Sequence, residues 1–374
     1  MTTDFQIPFC DPAGLRVSLA PMPANPKVSV LVTNYNYEEF LPRAIESVLA
    51  QSWRPLEIIV SDDGSEDRSC AAVQSYVDRG HPVVLVRGVH RGMAGCLNAA
   101  FAASSGEVIC LLDADDYFFA GKLDAVVNAF RSNPGAGFCI HRCERINQRG
   151  RMGGAFPLFQ QLPSGDRMKA TVSNSGVLMG LPPTSALSLR RNVASKIFPI
   201  SEDYLGYAEQ VIHRLAPLIT SICCVEETLS SWTLHSRNDA NSSRVKIERL
   251  ERELRFMEML WQEQHRFLLD CNPMLALELR PLQQSSLYVK MRYIVGRLTA
   301  DENTLVNHKV LCSLPEIRSS YMGMFWRYSD RLPRPIFRKL IDLLETQGSL
   351  KHLFGRFLGR EISMNYVEDH AQNS

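Results

Sequence analysis

The chain has 374 residues, of which 45% are hydrophobic and 22% are charged. This composition is sufficient for a large apolar core and excludes an intrinsically disordered chain. Its 41 Lys and Arg residues nearly balance 40 Asp and Glu residues, giving a formal net charge of +1. Because no overall positive charge is present to attract a polyanion, we exclude a general nucleic-acid binder and expect no nucleic-acid partner.

The ten cysteines are scattered along the chain, several of them within apolar runs. This pattern predicts reduced core thiols in a cytoplasmic protein. The triplet Cys139-x-His141-x-Cys143 has metal-ligand spacing, but it lies on a predicted strand without a second ligand pair, so we interpret it as core. The first 26 residues do not resemble a signal peptide, and no run of 18 apolar residues predicts a membrane span.

From Lys27 onward, strand-like and helix-like segments alternate. Apolar runs predict strands at 28–32, 57–62, 83–88 and 107–113, and the segments between them carry apolar residues at helical spacing. Repeated β-α-β units with continuously apolar strands predict a parallel sheet that is covered on both faces.

The pattern changes in the second half of the chain. Strands are predicted at 138–146 and 185–191, and the Gly- and Pro-rich stretch 149–165 predicts a long loop of the kind that acts as a lid. Helical spacing dominates from about Val245. We therefore expect an N-terminal extension over 1–26, an α/β catalytic domain over 27–241 and a helical C-terminal domain over 242–374.

Residues 331–360 contain seven Lys or Arg residues interleaved with apolar residues. A basic amphipathic segment of this kind can rest on anionic lipid, whereas a solvated helix face over a packed stripe is the more ordinary interpretation. Peripheral membrane contact, a homodimer interface and an acceptor clamp all stay open as roles for the C-terminal helices.

Polar residues end three of the predicted strands, at 33–36, 62–65 and 113–116. Ligands bind at the carboxyl ends of parallel strands. The crowded carboxylates of Asp113, Asp115 and Asp116 are costly to keep ionised together unless a cation lies among them. Since Mg²⁺ combines one or two protein carboxylates with phosphate oxygens, this strand end predicts a metal-bridged diphosphate. An acidic turn that caps the next helix is the alternative.

Two segments resemble the motifs of the family 2 glycosyltransferases, which have the GT-A fold. They are VSVLVTNYNYEEFLPRAIESVLAQSWRPLEIIVSDDGSEDRS and GMAGCLNAAFAASSGEVICLLDADDYF, which ends in a D-x-D motif. The matching stretch runs from Lys27 to about Asn241. The resemblance implies a Rossmann-like α/β fold with a mixed, mostly parallel sheet and helices on both faces.

The resemblance also implies an activity. It points to an inverting transferase that moves a sugar from a nucleotide-diphosphate sugar, with UDP-sugar favoured, and uses Mg²⁺ or Mn²⁺ as cofactor. The implied acceptor is a hydroxyl of a saccharide or lipid-linked glycan in polysaccharide biosynthesis. The implied location is the cytoplasm, including the inner face of the membrane.

Individual residues take roles from the same resemblance. Thr33 and Tyr35 would flank the base and ribose, and Asp63 would accept a hydrogen bond from the ring N–H of uracil or thymine. Asp113 would face the ribose or the sugar, Asp115 would ligate the metal, and Asp116 would act beside the transferred sugar as a catalytic residue. The complete nucleotide-sugar-binding set is Thr33, Asn34, Tyr35, Asp63, Asn98, Asp113, Ala114, Asp115 and Arg237.

Inverting transfer requires a base that removes the proton of the acceptor hydroxyl. Glu209, in the segment YAEQVIHRLAPL, matches the acidic residue that the family places at the start of a helix. Gln210 stands where the family commonly has Asp, and the pair Glu202 and Asp203 is therefore kept as the rival for this role.

The segment WTLHSRNDAN at 232–241 is similar to the motif that closes many domains of this family. His235 would reach the metal or the diphosphate. Arg237 would pair with phosphate oxygens through two parallel hydrogen bonds.

The sequence leaves one alternative function open and excludes another. The residue at position 210 also suits a catalytically silent GT-A-like protein that binds a nucleotide sugar or a partner. A dinucleotide-dependent oxidoreductase would need G-x-G-x-x-G after the first strand, whereas the turn TNYNYEEF contains no glycine.

Overall fold

The computed structural model describes residues 15–147, 150–157, 161–204, 207–235, 246–318 and 322–346. The chain divides into two compact units, Met1–Leu234 with Gln264–Glu278, and His235–Glu263 with Leu279–Ser374. The domain boundary predicted at residue 241 falls within 236–245, outside the described residues, so it stays a prediction.

The strands of the first unit are β1 (Val28–Asn34), β2 (Leu56–Asp62), β3 (Val83–Arg87), β4 (Val108–Asp113), β5 (Ala136–Asn147), β6 (Gly150–Phe156), β7 (Leu187–Arg190) and β8 (Ser221–Leu234). The helices of the described chain are α1 (Leu41–Leu49), α2 (Ser69–Asp78), α3 (Gly92–Ala103), α4 (Lys122–Ser132), α5 (Met168–Ser173), α6 (Arg191–Ile197), α7 (Ala208–Ile219), α8 (Ile247–Cys271), α9 (Pro273–Glu278), α10 (Ser286–Thr299), α11 (Thr304–Ser313), α12 (Pro315–Arg318), α13 (Gly323–Tyr328) and α14 (Arg334–Thr346).

All eight strands form one mixed sheet. Its order is β3-β2-β1-β4-β7-β5-β6, and β8 pairs with β5. The pairs β3–β2, β2–β1, β1–β4 and β5–β8 are parallel, whereas β7 is antiparallel to both β4 and β5, and β6 is antiparallel to β5. The prediction of a mixed, mostly parallel sheet is confirmed.

Helices cover both faces of this sheet. Val28, Val30 and Val32 of β1 share a buried cluster with residues of α1 and α4, while α3 contacts β1 and β2. Since alternate residues of a strand point to opposite faces, the intervening Leu31 is buried as well. Strands that are buried on both faces leave their carboxyl ends as the place for polar side chains.

The stretch 149–165 differs from its prediction as a long loop. Residues Gly150–Phe156 form β6 and pair with β5, Cys143 lying opposite Phe156. Local composition predicted a loop because glycines and prolines are frequent in it. Pairing with a strand earlier in the chain satisfies the backbone N–H and C=O groups, and composition does not show that partner.

The cysteines follow the prediction with one exception. Cys139, His141 and Cys143 are buried on β5, as expected for core residues. Eight cysteines of the described chain are free thiols. The expectation of reduced thiols was wrong for Cys271, which is disulfide-bonded, because the spacing of cysteines in a sequence does not reveal which of them pair.

The second unit is helical. Its buried cluster is built around Tyr293 of α10, with Met257 from α8, Leu311 from α11, Trp326 from α13 and Phe337 from α14. None of the described helices combines the length and the apolar character that crossing a bilayer requires. The basic segment 331–360 is described only as far as residue 346.

The start of β4 depends on a close backbone approach at Gly106. A Cβ atom on Gly106 would lie 2.6 Å from the carbonyl oxygen of Lys27 and 2.7 Å from the backbone nitrogen of Ser29. We expect Gly106→Ala to lower the free energy of unfolding in urea by about 1–3 kcal/mol, because the added methyl group pushes β1 and β4 apart.

The matched control is Gly135→Ala, since a Cβ atom on Gly135 meets nothing within 4 Å. We expect this variant to stay within about 0.5 kcal/mol of the parent protein. Equal losses of stability in the two variants would contradict the steric explanation.

Candidate functional site

The strands β1, β2 and β4 bring their carboxyl ends to one edge of the sheet. Thr33 lies opposite Asp113, and Thr33 Oγ1 donates to Asp113 Oδ1 at 3.1 Å. Asn34 lies opposite Asp62, and Asn34 Nδ2 donates to Asp62 Oδ2 at 2.7 Å. The backbone N–H of Ala114 donates to Thr33 O at 3.0 Å. The structure thus brings the three predicted strand ends together.

The turn after β2 folds back onto the turn after β1. Gly64 has φ +78°, and a Cβ atom there would lie 3.0 Å from His90 N, so the D-D-G-S turn requires glycine. Ser65 N donates to Asp62 Oδ1 at 2.8 Å. Ser65 Oγ accepts from Asn36 N at 2.8 Å. The turns after β1 and β2 therefore hold each other in position.

Asp63 is buried at the first turn of α3. Its Oδ1 accepts from Arg91 N at 2.8 Å, and its Oδ2 accepts from Gly92 N at 2.9 Å. His90 Nδ1 lies 2.9 Å from the same Oδ2. A carboxylate at a helix N-terminus is stabilised by the unpaired N–H groups and by the helix dipole. Asp63 thus holds α3 in place, in addition to any contact with a ligand.

Tyr35 presents an exposed ring at this edge. Its residue is 42% exposed. The ring stacks on the imidazole of His90, with 4.3 Å between centroids and 28° between planes. An exposed aromatic ring of this kind is a surface on which a flat heteroaromatic ring can stack.

The acidic triplet at the end of β4 concentrates negative charge. One carboxylate oxygen from each of Asp113, Asp115 and Asp116 lies within 4.8 Å of the other two. Burial raises the pKa of Asp113 well above its ordinary value, and the neighbouring charges of Asp115, Asp116 and Glu209 raise it further. The site therefore disfavours the ionised form of its own carboxylates when no cation is bound.

Asp116 is held by a buried network of hydrogen bonds. Its Oδ2 accepts from Ser185 Oγ at 2.6 Å, and its Oδ1 accepts from Thr233 N at 2.7 Å and from Ser231 Oγ at 3.4 Å. Ser185 Oγ also accepts from Asp113 N at 3.1 Å. Burial, followed by the charge of Asp115, raises the pKa of Asp116 to about 7. The carboxylate that was expected to act beside the ligand is thus bound to the turn before β7 and to β8.

Three residues around this site were not predicted from the sequence. They are Ser185, Ser231 and the buried Lys122. Lys122 Nζ donates to Ser185 O at 2.9 Å and lies 3.2 Å from the ring centroid of Phe118. Burial lowers the pKa of Lys122 to about 7. Its helical spacing with Val126 and Phe130 was a signal that could have placed it on the buried face of α4. The serines carry no comparable sequence signal.

Glu209 lies in the first turn of α7. Gln210 Nε2 donates to its Oε1 at 3.4 Å, whereas its Oε2 is buried and has no hydrogen-bond partner among the described residues. Burial raises the pKa of Glu209 to about 6. Since the charge of Glu209 also raises the pKa of Asp113, the two carboxyl groups lie close enough to interact. This carboxyl group has the environment of a general base.

The rival pair, Glu202 and Asp203, is exposed and already paired. Glu202 Oε1 accepts from Arg91 Nη1 at 3.2 Å. Asp203 Oδ2 accepts from Ser201 Oγ at 3.2 Å. The geometry therefore favours Glu209.

Asn98 makes a paired contact that sequence reasoning did not foresee. Its Nδ2 donates to Ile200 O at 2.7 Å, and its Oδ1 accepts from Ile200 N at 2.7 Å. These bonds fasten the segment before Glu202 to α3. Contact between Asn98 and a nucleotide sugar stays a prediction.

Two residues predicted to bind the metal or the diphosphate, His235 and Arg237, follow β8 in the sequence. His235 follows the last residue of β8 and is buried. Arg237 lies outside the described residues. The roles predicted for both stay predictions.

The acidic triplet fits a hard divalent cation. Its side chains offer carboxylate oxygens, which Mg²⁺ and Mn²⁺ prefer. Asp116 already accepts three hydrogen bonds within the protein, which leaves its oxygens less available to a cation. The role of Asp115 as metal ligand stays a prediction. A cation among these residues would relieve the repulsion that raises their pKa values.

The sequence model of the family described as Glycosyl transferase family 2 matches residues 29–191. An uncharacterized glycosyltransferase from Nostoc sp. is 31% identical over 223 residues, 58% of this chain and 67% of that protein. A UDP-Glc:alpha-D-GlcNAc-diphosphoundecaprenol beta-1,3-glucosyltransferase from Escherichia coli is 32% identical over 34% of this chain and 49% of its own length. A GalNAc(5)-diNAcBac-PP-undecaprenol beta-1,3-glucosyltransferase from Campylobacter jejuni is 33% identical over 32% of this chain and 38% of its own length. The chain thus spans less than half of either glucosyltransferase.

Among solved structures, S. aureus TarS 1-349 in complex with UDP-GlcNAc has a TM-score of 0.53 and 15% sequence identity, covering 91% of this chain and 95% of that one. At this identity the likeness establishes the fold. Together with the family match it confirms the GT-A architecture.

The raised pKa of Glu209 predicts a cost in stability at neutral pH. The folded protein binds the proton of Glu209 more tightly than the unfolded chain does, because the pKa rises from 4.5 to about 6. Stability therefore falls as the pH rises between these two values. We expect Glu209→Gln to gain about 1–2 kcal/mol relative to the parent protein between pH 4 and pH 8, beyond any pH-independent offset from the amide.

The measurement is urea unfolding of both proteins in chelator across this pH range. Asp203→Asn, at an exposed carboxyl group on the preceding turn, is the control. A stability difference between parent and Glu209→Gln that does not change with pH would contradict the burial of this carboxyl group.

Proposed function

This chain belongs to the family 2 glycosyltransferases, and from that premise we propose that it transfers a sugar from a UDP-sugar to a hydroxyl of a saccharide or lipid-linked glycan, with inversion at the anomeric carbon. The observation that carries the proposal is the proximity of two groups, the acidic triplet of Asp113, Asp115 and Asp116, and the buried carboxyl group of Glu209. The first can hold a diphosphate through a cation, and the second can take a proton.

The names of similar proteins support both substrate classes. The relatives from Escherichia coli and Campylobacter jejuni are named for lipid-linked acceptors, and the former for UDP-Glc. TarS was solved with UDP-GlcNAc. A lipid-linked acceptor would place the reaction at the cytoplasmic face of a membrane, in polysaccharide biosynthesis. Homodimer formation stays a prediction.

The donor would lie along the carboxyl ends of β1, β2 and β4. The exposed ring of Tyr35 offers a stacking surface to the base. Asp63 contacts His90, the residue on which that ring stacks. A carboxylate that accepts a ring N–H suits uracil, which carries such a donor at N3. Thr33, bonded to Asp113, would lie between the base and the diphosphate.

Asp113 and Asp115 would hold the divalent cation, Mg²⁺ or Mn²⁺. When bound, this cation stabilises the negative charge that develops on the departing nucleoside diphosphate. The protein's own contribution is to fix the two carboxylates in advance. Asp116 does so by binding Ser185, which in turn accepts from the backbone of Asp113.

Glu209 would take the proton of the acceptor hydroxyl. The hydroxyl oxygen forms a bond to the anomeric carbon as the bond from that carbon to the diphosphate oxygen breaks. The proton passes to Oε2 of Glu209, the oxygen without a partner among the described residues. With a pKa raised to about 6, the carboxylate is ionised at neutral pH and is a stronger base than an exposed one.

The role of Asp115 is tested by calorimetric titration of UDP with Mn²⁺ and again with chelator. We expect metal-dependent binding in the parent protein and its loss, by at least tenfold in affinity, in Asp115→Asn, because a metal ligand is removed. Glu202→Gln is the matched control and should bind normally. Binding that is unaffected by chelator would contradict the metal role, and no UDP binding at all would overturn the donor assignment.

The base is tested by comparing Glu209→Gln with Asp203→Asn. We expect Glu209→Gln to lower the turnover number by about 10²–10⁴-fold while UDP binding is kept, because only proton removal is lost. Asp203→Asn should turn over normally. The reverse result would assign the base to Asp203, and tight UDP-sugar binding with no transfer by the parent protein would favour the silent-binder alternative.

A further inference from the structure

Helices α13 and α14 and the turn between them expose several cationic side chains. Within residues 322–342 the exposed charged side chains are Arg327, Arg331, Arg334 and Lys339. The two carboxylates of this segment, Asp330 and Asp342, are partly buried and lie near His308 and Arg338. Asp330 lies 3.8 Å from His308 Nε2, and Asp342 pairs with Arg338 at 3.4 Å.

Apolar side chains are exposed among these cations. Met324 is 70% exposed, and Tyr328 and Ile336 are each 49% exposed. Met324 and Tyr328 are four residues apart and therefore share one face of α13. The Arg331 guanidinium lies 5.3 Å from the ring centroid of Tyr328. This contact links a cationic side chain to an exposed aromatic one. We call these seven residues the α13–α14 surface.

The inner faces of both helices pack on one residue. The ring of Tyr293 contacts Trp326 of α13 at 6.3 Å and Phe337 of α14 at 5.8 Å between centroids, and all three side chains are buried. Since both helices turn buried side chains to Tyr293 of α10, the exposed side chains of each helix lie on the faces turned away from it.

The turn between the helices is fixed by hydrogen bonds from arginine side chains to backbone carbonyl groups. Arg297 Nη2 donates to Leu332 O at 2.5 Å, and Arg334 Nε donates to Arg297 O at 3.0 Å. The surface is therefore formed before any partner binds. A preformed surface avoids the entropy cost of ordering a flexible segment on binding.

We propose that the α13–α14 surface binds the anionic headgroups of a lipid bilayer, with Met324, Tyr328 and Ile336 entering the headgroup region. The composition fits a membrane surface, since cations attract anionic lipid while apolar and aromatic side chains gain from partial burial at the interface. The inference rests on the proposed function to the extent that a lipid-linked acceptor gives the enzyme a reason to be there.

The sequence after α14 continues the same composition. Leu350, Lys351, Leu353, Phe354 and Arg356 follow within ten residues of its last residue, Thr346. This part of the sequence lies outside the described residues and carries the same combination of cationic and apolar residue types.

The test is flotation of the full chain with phosphatidylcholine vesicles, with and without phosphatidylglycerol. We expect binding only when phosphatidylglycerol is present. The double variant Arg331→Gln/Lys339→Gln should bind roughly 30-fold more weakly, because each basic residue near an anionic surface contributes roughly a fivefold gain in affinity.

The control is Lys169→Gln/Arg255→Gln, which removes the same charge at two exposed positions elsewhere and should bind as the parent protein does. Equal weakening in both double variants, or equal binding to neutral vesicles, would overturn the proposal. Absence of vesicle binding would overturn it as well. Calorimetric UDP binding is measured on every variant, so a failure of the membrane surface with intact UDP binding leaves the proposed transfer reaction standing.

Discussion

Mutual repulsion among the carboxylates at the end of β4 is the constraint on which the rest of the first unit depends. Asp113, Asp115 and Asp116 lie within one strand end, where burial and like charge both oppose ionisation. The fold accommodates this by giving Asp116 three protein donors from the turn before β7 and from β8. Residues next to β7 and on β8 thus support the carboxyl end of β4.

Burial makes the ionised form of Glu209 unfavourable in the folded protein. The same burial makes this carboxylate a better proton acceptor. The pKa of Glu209 rises to about 6 because burial disfavours its charged form, and one of its oxygens lacks a partner within the described chain. A carboxylate whose two oxygens both accept hydrogen bonds from the protein would be a weaker proton acceptor. Stability is reduced here in the way that active sites commonly show.

In the turns after β1 and β2, single side chains both hold elements of the fold in place and lie at the proposed donor site. Asp63 holds the N-terminus of α3 through two backbone N–H groups and also binds His90, on which Tyr35 stacks. A chain of contacts thus runs from Tyr35 through His90 and Asp63 to the N-terminus of α3. Lys122, fully buried under the acidic loop, binds the carbonyl of Ser185 and so supports the residue that joins Asp116 to Asp113.

The sequence by itself determined the parallel β-α-β half and the three polar strand ends, because buried strands leave periodic, local signals. The candidate base, Glu209, came from the resemblance to a family and stays a prediction. Only the tertiary structure revealed β6 within a glycine-rich stretch, the hydrogen bonds of Asp116, the pairing of Asn98 with Ile200 and the burial of Lys122. Each of these depends on contacts between residues far apart in the chain. A local pattern shows which chemical groups a segment carries, whereas the partner that occupies a hydrogen-bonding group or raises its pKa is set by the packing of distant segments.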